Sequence, residues 1–210
     1  MFYDRNEAAI KLADKLIVYR GRNPLVLAIP RGAVPMAKVI TDKLGGNLDV
    51  VLVRKLRAPY SPELAIGSVD ENGGGFVAEY AALAGADSDY IEYEKKIQMD
   101  IIRKRRLQYS QIRPAIDPTG RIVIVIDDGL ATGSTMISAL NALRGRKPAK
   151  LICAVPVSPA ETLKKIAELA DEVVCLETPT NFQAVGQHYV IFPQVEDDEV
   201  VAILQSAAPQ

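Results

Sequence analysis

The stretch Val123-Ile124-Val125-Ile126-Asp127-Asp128-Gly129-Leu130-Ala131-Thr132-Gly133-Ser134-Thr135 carries a strand, an acidic pair and a helix start in thirteen residues. Its four leading apolar residues predict a short strand buried on both faces, as in the middle of a parallel sheet. Two carboxylates, Asp127 and Asp128, emerge at the carboxyl end of that strand. A turn of small residues follows, and Ser134 and Thr135 open a helix. The unpaired N–H groups at a helix start, with the helix dipole and the two hydroxyls, make an anion site. The acidic pair suits sugar hydroxyls or a hydrated Mg²⁺. Phosphate, diol and metal sites therefore meet within one turn.

The same rhythm extends outward in both directions. Leu25 to Ile29 is apolar at every position and predicts a strand, followed by a helix from about Val34 to Leu44 that Gly45-Gly46 stops. Further strands are expected at Leu48 to Val53, which ends in the basic cluster Arg54-Lys55-Leu56-Arg57, and at Arg121 to Asp127, Lys150 to Val155 and Glu172 to Leu176. Ser134 to Leu143 reads as a helix. Another should run to about Ala170 from Ser158-Pro159-Ala160-Glu161, which has the form of a capping box with proline at the first helical position. At the start of the chain, Asp4 and Glu7 have capping-box spacing, and Ala9, Leu12, Ala13 and Leu16 recur at helical intervals until Gly21. A short extended piece around Tyr189 to Phe192 and a last helix from about Asp197 complete the chain.

One stretch interrupts the alternation. Ala58-Pro59-Tyr60-Ser61-Pro62 reads as a loop. Ala65 to Asp70 and Phe76 to Tyr80 read as a hairpin around Glu71 to Gly75, and a charged helix follows from about Asp89 to Gln111, closed by Pro114. Strands alternating with amphipathic helices imply an α/β fold, a mainly parallel sheet flanked by helices. Ligands of such sheets bind beyond the carboxyl ends of the strands. At about 150 residues per domain, the 210 residues suggest a single domain with an elaboration.

Composition narrows the chemistry. With 49% hydrophobic and 24% charged residues and a net charge of −1, the chain resembles an ordinary globular protein and lacks the basic excess of a general nucleic-acid binder. Its two cysteines, Cys153 and Cys175, sit in apolar runs and read as buried hydrophobes of a reducing compartment. The single histidine, His188, leaves little room for a zinc site or a Ser-His-Asp triad. The N-terminal residues lack a signal-peptide shape, and no apolar run reaches the ~18 residues of a membrane span, so a cytoplasmic protein is expected. A nucleotide P-loop would need a lysine before Ser134, and none is there.

The stretch from Val123 to Thr135 closely resembles the phosphoribosyl pyrophosphate signature of type I phosphoribosyltransferases. The resemblance spans roughly Leu25 to Leu176. It is nearest to a bacterial branch of the family whose acceptor is unassigned, through Arg54-Lys55-Leu56, Ala58-Pro59, Pro62-Glu63, Ala65-Ile66-Gly67 and the tail from Phe182 to Tyr189. It implies that Asp127 and Asp128 contact the ribose hydroxyls. Ala131, Thr132, Gly133, Ser134 and Thr135 would hold the 5′-phosphate.

Ile29-Pro30-Arg31-Gly32-Ala33-Val34-Pro35 looks like the family's pyrophosphate loop, often built around a cis peptide. Arg31 offers a fork for phosphate oxygens, and Gly32 a close backbone approach. The sequence has Pro-Arg-Gly-Ala where many relatives have Arg-Gly-Gly. Arg54 and Lys55 match the basic groups that the family's flexible lid brings to the pyrophosphate. The resulting expectation is one domain over residues 1–210, with a core at about 25–176, a lid and hairpin at about 55–80, and a small C-terminal hood at about 178–194. Phe182 and Tyr189 in that hood are candidates to stack on an acceptor base.

The implied activity is Mg²⁺-dependent transfer of a phosphoribosyl group to a nitrogen acceptor, a nucleobase or related heterocycle. Asp127, Asp128 and Lys55 are the candidate catalytic residues. Mg²⁺ would be held mainly through ligand and water, with Asp127 and Asp128 as further donors. A homodimer is expected. A regulator that binds the same ligand without turnover is the alternative, which the basic run Arg103-Lys104-Arg105-Arg106 favours through contact with nucleic acid. Pairing of that run with acids of its own helix, or burial at a dimer interface, is the other reading.

Overall fold

A computed structural model describes residues 1–109 and 115–207 of the chain. Its centre is a five-stranded sheet of β1 (Leu25–Ala28), β2 (Asn47–Val50), β6 (Ile122–Ile126), β7 (Lys150–Val157) and β8 (Glu172–Glu177). The spatial order is β2-β1-β6-β7-β8, and every pairing is parallel. The strands with the longest apolar runs, β1, β6 and β7, occupy the interior, where both faces are covered.

Successive strand residues feed two cores. Val26, Ala28, Ile124, Ile126, Ile152 and Ala154 face α1 (Arg5–Lys15) and α2 (Ala33–Leu44). Leu25, Leu27, Val123, Val125, Leu151 and Cys153 face α4 (Ser134–Gly145) and, at Ile166, α5 (Ala160–Ala167). This two-sided burial explains why the strand sequences are apolar throughout rather than alternating. α6 (Asp197–Ser206) adds Val200 and Leu204 to the first core.

The interrupting stretch forms a second sheet, antiparallel in order β3-β4-β5, from β3 (Val53–Ala58), β4 (Ser61–Asp70) and β5 (Gly75–Val77). The sequence reading differs here: Ser61 and Pro62, read as loop, open β4, and the second hairpin strand is Gly75–Val77 rather than Phe76 to Tyr80. The strand expected to reach Val53 ends at Val50, and the basic cluster Arg54-Lys55-Leu56-Arg57 lies inside β3 rather than at a strand end. In β3, Leu56 and Ala58 are buried and Lys55 and Arg57 exposed, so the two-residue period turns cations outward and apolar groups inward. α3 (Ser88–Tyr109) packs on this sheet. The expected closure of that helix near Gln111 and Pro114 lies outside the described residues.

α3 sends members of the basic run to different partners. Arg103 pairs with Asp100 at 3.2 Å, while Arg106 turns inward to Asp49 at 2.9 Å and Glu71 at 2.6 Å. The capping box expected at Ser158 is not formed. Pro159 is the extended N-cap (φ −59°, ψ 144°), and the Ser158 hydroxyl donates to the Pro159 carbonyl at 3.2 Å. At α1, Asp4 does cap, accepting from the Glu7 N–H at 2.8 Å, whereas the Glu7 carboxylate reaches one residue further back, to the Tyr3 N–H. Both cysteines are free; Cys153 is buried and Cys175 half-buried. Among the described residues no helix is long and apolar enough to cross a membrane.

Candidate functional site

β6 delivers the acidic pair to the carboxyl edge of the sheet. Asp127 accepts the N–H of Asp128 at 2.9 Å on its own Oδ1. Burial, then the neighbouring charge of Asp128, holds the Asp127 pKa well above the usual carboxylate range. Burial also raises Asp128, and the hydrogen bonds and charge of Arg5 oppose that rise.

The turn after the pair is built for a close approach. Gly133 is the N-cap of α4 in the left-handed region (φ 71°), with no side chain capping the helix. Its carbonyl accepts the Ile137 N–H at 2.8 Å. The preceding N–H groups of the first turn have no earlier helical carbonyl to bond. Thr132 and Ser134 join their hydroxyls at 2.9 Å, and the Ser134 N–H reaches Thr132 Oγ1 at 3.4 Å. Thr162 on α5 supports the loop from below by donating to the Ala131 carbonyl at 2.7 Å. A cleft of about 450 Å³ opens over this loop, lined by Asp127, Gly129 to Met136 and Val185.

Thr135 links this cleft to the cations. A second cleft, of about 840 Å³, is lined by Thr135 with Arg54, Lys55 and Arg57. A third, of about 370 Å³, brings Thr135 together with Pro30, Arg54 and Arg105. Burial first, and then the charges of Arg57 and Arg105, lower the Arg54 pKa, the mark of cations crowded on one another. Arg54 donates to Gln98 Oε1 at 2.5 Å. Arg105, from the basic run on α3, is a site residue that sequence reasoning missed. Its place beside Arg54 follows only from the packing of α3 on β3.

Arg31 lies in the turn between β1 and α2, after a cis Pro30–Arg31 peptide bond. Its guanidinium lies 3.5 Å from Glu196 and 3.6 Å from Asp197 at the start of α6. Gly32 presses on the acidic pair: a Cβ there would fall 2.0 Å from Asp128 Oδ2. The turn after β1 and the turn after β6 are therefore in direct contact.

The tail forms a cap over this edge with the N-terminus. Phe2 bridges Tyr189, the Val190 N–H donates to the Phe2 carbonyl at 2.9 Å, and the Ile191 N–H to that of Tyr3 at 2.8 Å. Phe182 is half-buried and stacks on His188, with ring centroids 5.1 Å apart. Tyr189 has a different occupation from the base-stacking expected of it. It is buried, packs on Phe2 at 5.6 Å and Phe192 at 4.7 Å, and its hydroxyl donates to the Asp128 carbonyl at 2.7 Å. Among the described residues, no group of three or more His, Cys, Asp or Glu side chains is gathered to hold a metal. The hard oxygen donors Asp127 and Asp128 fit a largely hydrated Mg²⁺, which keeps waters and takes one or two carboxylates.

Sequence reasoning also missed Arg5. It is the first residue of α1, donates from Nε and Nη2 to Asp128 Oδ2 at 3.0 and 2.8 Å, and from Nη1 to the Pro193 carbonyl at 2.6 Å.

Comparison with known proteins gives consistent matches. Residues 2–190 match the family model described as phosphoribosyl transferase domain. Two Mycobacterium tuberculosis proteins, from strains CDC 1551 / Oshkosh and ATCC 25618 / H37Rv and both named “Putative phosphoribosyl transferase”, are 40% identical over 211 residues. The match takes in 99% of this chain and 47% of theirs, so the chain spans about half the length of the curated relatives it matches. The crystal structure of TT1426 from Thermus thermophilus is 42% identical, with a TM-score of 0.91 over 99% of each chain.

Proposed function

The chain belongs to the phosphoribosyl transferase family, and on that premise we propose that it transfers a 5-phosphoribosyl group from phosphoribosyl pyrophosphate to a nitrogen acceptor, releasing pyrophosphate. The observation that carries this reading is the meeting at Thr135 of the loop after β6 and Asp127, the first residue of the acidic pair, with a crowded group of cations. The donor has matching parts: a phosphate, a diol and a pyrophosphate.

The 5′-phosphate takes the N–H groups and hydroxyls of residues 131–135. Asp127 and Asp128 accept from the ribose hydroxyls. Arg31, Gly32, Arg54 and Lys55 receive the pyrophosphate, with Arg105 beside them. Mg²⁺ fits Asp127 and Asp128 as an oxygen-bound, hydrated ion, and when bound it supplies further neutralisation of the polyphosphate charge. The acceptor nitrogen attacks C1 as the C1–O bond to pyrophosphate breaks, and the bonding electrons leave with the pyrophosphate. The protein contributes positioning and fixed charge rather than a nucleophile.

Lys55 is exposed on β3 and bears on the departing pyrophosphate, whose charge grows as the bond breaks. Phe182, with one face against His188, remains the candidate to stack on a heterocycle. The test is a screen of heterocycles with phosphoribosyl pyrophosphate and Mg²⁺, read by pyrophosphate release. Release with one acceptor class supports transfer. Tight donor binding without release from any acceptor favours the regulator reading instead.

A further inference from the structure

We propose that Arg5 is a positioning residue, which fixes Asp128 for the ribose and ties that carboxylate to the N-terminal and C-terminal segments capping the site; this rests on the donor-binding reading above. Three observations carry it. The guanidinium donates two hydrogen bonds, at 3.0 and 2.8 Å, to the same oxygen, Asp128 Oδ2. Its third nitrogen bonds the Pro193 carbonyl, and its carbon lies 3.8 Å from the Phe192 ring centroid. The Arg5 side chain is only 11% exposed, so a solvated surface pair is excluded.

The geometry leaves Asp128 little freedom. The space a Cβ at residue 32 would take is filled by Oδ2, which is wedged between the backbone of Gly32 and the Arg5 fork. The backbone carbonyl of Asp128 is held from the other side by the Tyr189 hydroxyl at 2.7 Å. With Oδ2 committed, Oδ1 is the oxygen left for a ligand hydroxyl. A carboxylate fixed before the ligand arrives loses less freedom on binding. Phe192 and Pro193, which hold Arg5, belong to the segment that zips onto Phe2 and Tyr3. A shift of that segment would therefore reach Asp128 through Arg5. Tyr189 acts on the same residue from the same segment.

A double-mutant cycle tests the claim. Wild type, Arg5→Ala, Asp128→Asn and the double variant are titrated with phosphoribosyl pyrophosphate and Mg²⁺, and separately with inorganic phosphate. Melting curves are recorded for each. If Arg5 acts through Asp128, Arg5→Ala weakens donor binding on the order of 10-fold in wild type and about 2-fold or less in the Asp128→Asn background, the coupling expected of contacting residues. Inorganic phosphate affinity, which depends on the loop at 131–135, stays the same within about 2-fold by that reasoning.

Equal losses of donor affinity in both backgrounds, or a parallel loss of inorganic phosphate binding, overturn the proposal, because a general structural role would produce either one. Should Arg5→Ala not fold, Arg5→Lys takes its place. It keeps the charge without the planar fork, and full wild-type donor affinity in that variant overturns the positioning claim. Wild type that binds no donor fails the reading of the site itself. Wild type that binds while Arg5→Ala matches it fails this inference alone.

Discussion

Gly32→Ala opposes two physical effects. Gly32 has an ordinary right-handed backbone (φ −56°, ψ −32°), so alanine is conformationally allowed. By the entropy of the unfolded chain alone, the exchange should stabilise by about 0.4–1 kcal/mol. The structure predicts the opposite sign. The new Cβ would lie 2.0 Å from Asp128 Oδ2, 2.8 Å from Asp128 Cγ and 3.2 Å from Arg5 Nη2. A free carboxylate would swing away at little cost, but this one is held by the Arg5 fork. Overpacking costs about 1–3 kcal/mol, which offsets the entropic gain and leaves a net loss of up to about 2.6 kcal/mol. For a domain of this size that is a fall in Tm of up to about 10 °C.

The larger consequence is functional, because the displaced group is half of the acidic pair. A hydrogen bond to a charged group contributes about 1.5–3 kcal/mol, so donor affinity should fall by roughly 10- to 150-fold. Differential scanning fluorimetry and calorimetric titration with phosphoribosyl pyrophosphate and Mg²⁺ read both quantities. A variant that melts higher than wild type and binds the donor equally well would refute the contact between Gly32 and Asp128 and its role.

Lys55→Ala should lower kcat by about 10²-fold or more while direct donor affinity falls far less, as for a group that acts on charge developed in the transition state; parallel losses in single-turnover rate and binding would make it a ground-state anchor. Asp127→Asn should melt higher than wild type at neutral pH without ligand, and bind the donor more weakly. The raised pKa of Asp127, caused by burial and then by Asp128, favours the fold below the ordinary carboxylate value. That contribution is lost as pH rises through the raised value. The variant should therefore lose less stability than wild type between mildly acidic and neutral pH, and identical pH profiles would contradict the assignment. Thr162→Val keeps the methyl group under Gly133 but removes the donor to the Ala131 carbonyl; it should cost about 0.5–1.5 kcal/mol and weaken inorganic phosphate binding, both measurable by melting and titration.

The parallel sheet was legible because β1, β6 and β7 are buried on both faces, which leaves unbroken apolar runs in the sequence. The loop after β6 was legible as a turn of small residues into a helix, and Gly133 at a positive φ makes that turn before the two hydroxyl residues. The second sheet was harder to read. β3 is exposed on one face and carries register irregularities after Leu56 and Arg57, so its alternation resembled a basic strand end. The run Arg103 to Arg106 could not be resolved by composition, since neighbouring helix positions point about 100° apart and meet different partners. A cation at the first position of a helix runs against the helix dipole, which hints that Arg5 has a partner elsewhere, but nothing local names it: the partner is 123 residues away.

A crystal structure of this chain with phosphoribosyl pyrophosphate and Mg²⁺ tests the donor site directly. The 5′-phosphate is expected on the amides of residues 131–135, the ribose hydroxyls against Asp127 and Asp128, and the pyrophosphate facing Arg31, Arg54 and Lys55. A donor bound elsewhere, or no donor bound at millimolar concentration with the loop after β6 open, would contradict it.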